Sequence, residues 1–235
     1  MKVVFISPCF NASDNLKNLI DSVTCQTDNR WEHIFIDDIS ADDTCKRFNE
    51  LVSDNDKFKL IKNSEKKYAL RNIVEVARLY ENREDIIIAT IDGDDQLCNK
   101  DTVKILIESY EDGNDVVWTA HKWDVNGINI SKPMPKNVDP YSWVWSTSHL
   151  RTFRSSLLKK ISDKNFKDTK GEWFRRGYDQ ALMLPVLSLT TNREYIDKVC
   201  YLYNINSVSV NDRDWAEMSQ ISTINLVRAR GFIKE

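Results

Sequence analysis

Residues 86–95, Ile-Ile-Ile-Ala-Thr-Ile-Asp-Gly-Asp-Asp, restrict the fold more than any other stretch of the chain. A β-branched apolar run of this length reads as a strand buried on both faces, which is typical of a parallel sheet covered by helices. It ends in three carboxylates spaced around one glycine. Open α/β sheets bind their ligands at the carboxyl ends of their strands. Clustered carboxylates repel one another, and a divalent cation with a preference for oxygen ligands is the commonest reason to find them together.

The rest of the chain agrees with a sheet of this kind. Strands are expected at 2–7, 33–36, 58–61, 86–91 and 115–119. Helices are expected between them at 13–26, 42–52, 67–80 and 100–111. Leu16, Leu19, Ile20 and Val23 share one helical face, with Ser13 as the expected cap, and Asp42 or Asp43 opens the second helix. This alternation implies right-handed βαβ units. Past residue 120 the pattern changes. Asn126-Gly127, flanked by 121–125 and 128–130, signals a hairpin. Residues 131–142 hold three of the five prolines and read as loop. A helix is expected at 178–189, interrupted by Pro185, then a strand at 195–204 and a helix at 215–230. The expected fold class is α/β, a mostly parallel central sheet flanked by helices with a smaller mixed region. All 235 residues form one domain in this reading, with a change of role near residue 120.

Composition narrows the function classes. A net charge of −3 offers no basic face for nucleic acid. No apolar run approaches the ~20 residues that span a bilayer. Cys9, Cys25, Cys45, Cys98 and Cys200 form no CxxC pair, which points to reduced thiols and a cytoplasmic setting. The GxxxxGK[ST] and GxGxxG phosphate loops are absent. An EF-hand starting at Asp92 fails, because its sixth and twelfth positions would be Leu97 and Val103. Three sheet-end segments remain: Ser7-Pro8-Cys9-Phe10-Asn11, Asp37-Asp38-Ile39-Ser40 and Asp92-Gly93-Asp94-Asp95. In a parallel sheet they share one edge and can meet in one crevice.

Phe5–Asn11, Leu19–Val23 with Gln26, and Ile34–Ser40 with Asp42 together resemble the start of family 2 glycosyltransferases of the GT-A fold. Leu70-Arg71-Asn72 with Ala77 resembles the next block, and Asp92-Gly93-Asp94-Asp95 the DxD block. His149–Arg154 and Asp179–Leu182 resemble the later, acceptor-side blocks. The resemblance covers residues 3–190 and implies an inverting, metal-dependent transferase that uses a nucleotide sugar, with a UDP-sugar as the expected donor. It places Pro8, Phe10, Asn11, Asp37, Asp38, Arg71, Asp92, Gly93 and Asp94 around that donor. Phe10 would stack on the base, and Asp37 or Asp38 would accept its N–H. Asp94, with Asp92, would hold Mn²⁺ or Mg²⁺, and Asp95 would orient its neighbours.

The acceptor would be a saccharide or glycan hydroxyl. Asp179, at the start of an apolar helix, is the expected general base, with Glu172 as runner-up. Arg151 and Arg154 would lie on one side of a strand and clamp phosphate or acceptor. His149 would add a nitrogen ligand or a phosphate contact, and Trp143, Trp145 and Trp173 would stack on sugar faces. Two other readings remain open at this level. One is a sugar nucleotidyltransferase, which would normally have a glycine-rich basic loop after its first strand. The other is a non-catalytic nucleotide-sugar or carbohydrate-binding module, which has no need of a positioned base.

Overall fold

The structure is a computed structural model; it describes residues 1–53, 55–205 and 213–234, with side chains left out of account at 213–217. Among the described residues eight strands form one sheet and six α-helices accompany it; the strands are β1 (Lys2–Cys9), β2 (Trp31–Asp37), β3 (Phe58–Lys62), β4 (Ile86–Thr90), β5 (Gln96–Leu97), β6 (Val116–Trp123), β7 (Arg151–Arg154) and β8 (Arg193–Tyr203). Their spatial order is β3-β2-β1-β4-β7-β6-β8-β5. The first four run parallel, as the alternating pattern requires. β7 enters antiparallel between β4 and β6, so the sheet is mixed in its second half.

The helices beside it are α1 (Leu16–Thr24), α2 (Thr44–Val52), α3 (Tyr68–Arg78), α4 (Thr102–Glu111), α5 (Tyr178–Ser188) and α6 (Arg213–Arg230). The period-2 pattern of the central strands sorts the core into two layers. Val4, Ile6, Ile86 and Ile88 face α3, α5 and α6. Val3, Phe5, Ile87 and Ala89 face α1, α4 and Phe48 of α2. A strand with apolar residues on both faces is stable only in such a sandwich. α5 is buried on all sides from Gln180 to Leu187; it passes through Pro185 and ends three residues later.

Three local expectations change. The Asn126-Gly127 turn forms, with the Trp123 amide donating to the Ile128 carbonyl at 3.0 Å. No second hairpin strand follows: Asn129 meets β6 through its side chain, its Oδ1 accepting the His121 amide at 3.3 Å. Ser13 does not cap α1, which begins at Leu16 behind Asn15; the Ser13 amide instead donates to Asp42 at 3.2 Å. The two short additions, β5 and β7, have little pattern of their own. Among the described residues no helix is long and apolar enough to cross a membrane.

Candidate active site

Because β1, β2 and β4 run parallel, their three polar exits open on one edge of the sheet. They are tied to one another. The Asp38 amide donates to the Cys9 carbonyl at 2.8 Å. Asn11, at φ 51°, accepts the Ala41 amide at 2.8 Å and donates its own amide to Ser40 Oγ at 2.9 Å. Gly93 lies so close to β1 that a Cβ there would sit 2.3 Å from Cys9 Sγ, and no side chain fits. Phe10 projects from this join with half its surface exposed, one face covered by the Lys66 ammonium. Pro8 is half-buried behind it.

The paired acids Asp37 and Asp38 have different tasks. Asp38 accepts Asn63 Nδ2 at 2.7 Å and the Lys67 and Tyr68 amides at 2.9 and 2.8 Å. Burial opposes its charge, yet these donors hold its carboxyl below the usual range. It thereby satisfies the open amides at the start of α3. Asp37 accepts the Ser40 amide at 3.3 and 3.4 Å and has the Cys45 thiol beside it, fewer and weaker donors than Asp38 has.

The acids after β4 are organised by groups from β7, β8 and α5. Arg151 is 2% exposed. It donates from Nε to Thr90 Oγ1 and from Nη2 to the Tyr178 hydroxyl, both at 3.2 Å, and Nη2 lies 3.5 Å from Asp92. The Tyr178 hydroxyl donates to Asp92. The Tyr201 hydroxyl donates to Asp95 at 2.6 Å and accepts the Asp92 amide at 3.1 Å, while the Asn204 amide donates to Asp95 at 2.7 Å. Burial, with Asp92 and Asp94 beside it, pushes the Asp95 carboxyl well up. Burial works against the charge of Arg151, but Tyr178, Asp92 and Asp179 around it keep it protonated. Asp179, in the first turn of α5, is also pushed up by burial, an effect Arg151 opposes and Asp92 reinforces.

One carboxylate oxygen each of Asp92 and Asp95 and one ring nitrogen of His149 lie within 4.8 Å of one another. His149 is stacked on Tyr201 at 4.6 Å and on Tyr203 at 5.0 Å. Its Nδ1 is buried with no hydrogen-bond partner among the described residues. Burial, with Arg151 and His121 nearby, holds its pKa well below the ordinary value. A neutral imidazole with an unused nitrogen beside two carboxylates suits Mn²⁺, and the oxygens alone suit Mg²⁺. The residues present therefore fit a divalent cation. Asp94 is half-buried in the same turn but is not one of those three.

Other expected residues lie elsewhere. Arg71 pairs with Glu65 at 2.9 Å and Glu75 at 2.7 Å, which takes its guanidinium along α3. Arg154 does not share the side of Arg151: residues three apart on a strand point to opposite faces. It lies near the opposite edge of the sheet, donating to Asn114, Asp115, Glu84 and Tyr110. Trp143 and Trp145 pack against the core, and Trp173 stacks on Phe166 at 6.1 Å. Glu172 is exposed in a turn closed by Asp168. Sequence reasoning missed Thr90, Tyr178, Tyr201 and Asn204. Tyr178 adjoins Asp179 and could have been suspected; a tyrosine inside a strand carries no such signal.

Residues 4–182 match the sequence profile described as glycosyl transferase family 2. The chain belongs to that family. No curated protein matches its sequence. Among solved structures, this family 2 chain is similar to S. aureus TarS 1-349, with a TM-score of 0.65 at 20% identity, covering 100% of this chain and 67% of that one. It spans 40% of the longer TarS chain. It also resembles the mannosyltransferase PcManGT from Pyrobaculum calidifontis, solved with GDP-Man and Mn²⁺ (TM-score 0.64, 14% identity, 100% and 66% covered). A third is glucosyl-3-phosphoglycerate synthase from Mycobacterium tuberculosis, solved with Mn²⁺, UDP-glucose and phosphoglyceric acid (TM-score 0.62, 12% identity, 97% and 80% covered). At these identities the likeness establishes the GT-A architecture.

Proposed function

We propose that this chain transfers a sugar, with inversion, from a nucleoside diphosphate donor to a hydroxyl acceptor. The observation that carries the reading is the meeting of Asp92, Asp95 and His149 with Asp179 around one buried arginine, Arg151. Residues 1–120 bind the donor in this reading. Phe10 stacks on the base and Asp37, the acid with the fewer donors, takes its N–H; UDP is the favoured nucleotide. Asp94 and Asp92, joined by Asp95 and His149, are the residues that hold the cation. A divalent cation bound there neutralises the departing diphosphate.

Residues 121–235 shape the acceptor site. Asp179 takes the proton of the acceptor hydroxyl as its oxygen bonds to the anomeric carbon. The bond from that carbon to the diphosphate oxygen breaks on the opposite face, and nucleoside diphosphate leaves. A carboxyl raised by burial is better matched to this work near neutral pH than an ordinary one. Cytoplasmic placement is part of the same proposal.

A nucleotidyltransferase reading has less support, since Pro8-Cys9-Phe10-Asn11 is neither glycine-rich nor basic. The test is a nucleotide-sugar panel with and without Mn²⁺, scored for thermal shift and for released product. Nucleoside diphosphate is expected, and pyrophosphate would point to the nucleotidyltransferase. Asp94→Ala should abolish the metal-dependent donor shift. Asp179→Asn should keep that shift and lower transfer by about 10²–10⁴-fold; near-normal transfer would remove Asp179 as the base.

A further inference from the structure

The loop leading into Asp179 is locally basic in a chain of net charge −3. Residues 164–176 hold five basic side chains against two acidic ones. One of those acids, Asp168, is turned onto its own loop, accepting the Lys170 and Glu172 amides at 2.8 and 2.9 Å. Most arginines with described side chains are ion-paired, as Arg30, Arg47, Arg71, Arg78, Arg83, Arg151 and Arg154 are. Others, such as Arg193 and Arg230, are bonded to backbone carbonyls. Arg175 and Arg176 have neither kind of partner among the described residues, and both are exposed.

Arg175 is nonetheless placed. Its guanidinium lies 4.9 Å from the centre of the Tyr68 ring. The Lys66 ammonium stands 6.0 Å from the same ring and 3.0 Å from that of Phe10. A cation–aromatic series, Phe10, Lys66, Tyr68 and Arg175, thus crosses from the donor half to the loop of the base. Gly177, at φ 61°, pins that loop: a Cβ there would lie 3.2 Å from the Gln220 carbonyl of α6. Arg175 and Arg176 are therefore presented at the rim, just before the helix that carries Asp179.

We propose that Arg175 and Arg176 form a subsite for an anionic acceptor, a saccharide or polyol bearing a phosphate or carboxylate. This rests on the reading of Asp179 as the acceptor-side base. A guanidinium stacked on an aromatic ring keeps its N–H edge free for bidentate contact with such an oxyanion. Asp92, Asp95 and His149 would hold the cation that neutralises the donor diphosphate, which leaves the cations of the Asp179 loop for the other substrate.

The test compares glycerol 3-phosphate with glycerol by thermal shift, in the presence and absence of UDP and Mn²⁺. The phosphorylated polyol should raise the midpoint and glycerol at equal concentration should not. The double variant Arg175→Ala/Arg176→Ala should weaken the glycerol 3-phosphate response at least tenfold, and the Arg175→Lys/Arg176→Lys pair should restore part of it. A response that persists in the alanine pair, or that glycerol matches, overturns the subsite. Loss of the UDP response in the alanine pair also overturns it, because the arginines would then serve the donor. The wild-type response to UDP and Mn²⁺ reads the transferase proposal separately, since the polyol comparison is made without nucleotide as well.

Discussion

Arg151 and Arg154 stand three residues apart on β7 and serve opposite edges of the sheet. Arg154 has a fixed acceptor for each of its nitrogens, including Tyr110 O at 2.6 Å and Asp115 at 3.1 Å. Glu32, near that same edge, is matched by Lys2, Lys59 and Tyr80 at 2.6–3.1 Å. Around Arg151 the balance is different. The carboxyls of Asp95 and Asp179 both have pKa values raised above the ordinary range, chiefly by burial, whereas that of Glu32 is lowered. His149 keeps a buried nitrogen without a partner among the described residues. Buried polar groups in folded proteins are normally paired, so an edge that leaves this much unresolved is shaped for a ligand. The edge of Arg154 is complete in itself.

The sharpest way to break this contrast is to remove each arginine in turn. Arg151→Met strips the cation from between Asp92 and Asp179 and leaves half-buried carboxylates facing one another. It should cost about 3–5 kcal/mol of stability and most of the transfer activity. Arg154→Met exposes carbonyls that water can reach in part; it should cost about 1–2 kcal/mol and leave transfer close to wild type. Urea unfolding at pH 7, with transfer measured on the folded fraction, checks both. If Arg154→Met lost activity as steeply as Arg151→Met, the division between a working and a structural edge would fail.

The acid limb of stability separates the edges in a second way. Burial, helped by Arg151, lowers the pKa of His121 to about 4 from 6.5. With its folded pKa depressed, stability is complete above pH 6.5 and falls as pH drops toward 4, because the unfolded chain binds the proton first. The loss should reach about 2 kcal/mol by pH 5. His33, in mid-sheet and lowered to about 3 by burial, adds in the same sense. Glu32 is held at about 2 against an ordinary 4.5: burial opposes its charge, and bonds from Tyr80, Lys2 and Lys59 prevail. Its contribution is present above pH 4.5 and is lost only below that. Denaturation series from pH 7.5 to 4.5 should therefore lose part of their slope in His121→Asn, with His33 and His149 supplying the rest, and keep their slope in Glu32→Gln. An unchanged slope in His121→Asn would show that the histidine near the active site is not buried neutral.

The part of this architecture that follows local periodicity could be read from the chain. β1 to β4, the helices between them and the three polar exits all follow from alternating and 3.6-residue patterns, and parallel pairing places those exits together. β7 could not be placed that way. Four residues carry little periodicity, and their position between β4 and β6 depends on chain that returns from far along the sequence. The side of Arg154 needs no such placement, since residues three apart on any strand lie on opposite faces. The long return of the chain does hide Tyr201, since a core tyrosine in β8 is distinguished by the Asp95 it meets across the sheet. Asp38 and Arg71 show a complementary gap. The chain shows where they stand in sequence, but only the structure reveals that Asn63, the Lys67 and Tyr68 amides, Glu65 and Glu75 already engage them.

The smallest effect bears on that last distinction. Phe10 and Arg71 were both expected beside the nucleotide, yet one is open to ligand and the other is paired. Phe10 is 53% exposed with only Lys66 against its ring, so it contributes little to the core. Phe10→Ala should leave the unfolding midpoint unchanged and weaken UDP binding about 3–10-fold, the ~0.5–1.5 kcal/mol of one aromatic stack. Arg71→Ala removes pairs with Glu65 and Glu75 that are partly solvated, so it should cost under ~1 kcal/mol of stability and leave UDP affinity within about twofold. Titration of both variants with UDP and Mn²⁺ reads the difference directly. The reverse ranking, with Arg71→Ala the weaker binder, would mean that the guanidinium leaves Glu65 and Glu75 when nucleotide arrives, and that the donor pocket extends along α3 rather than over the end of β1.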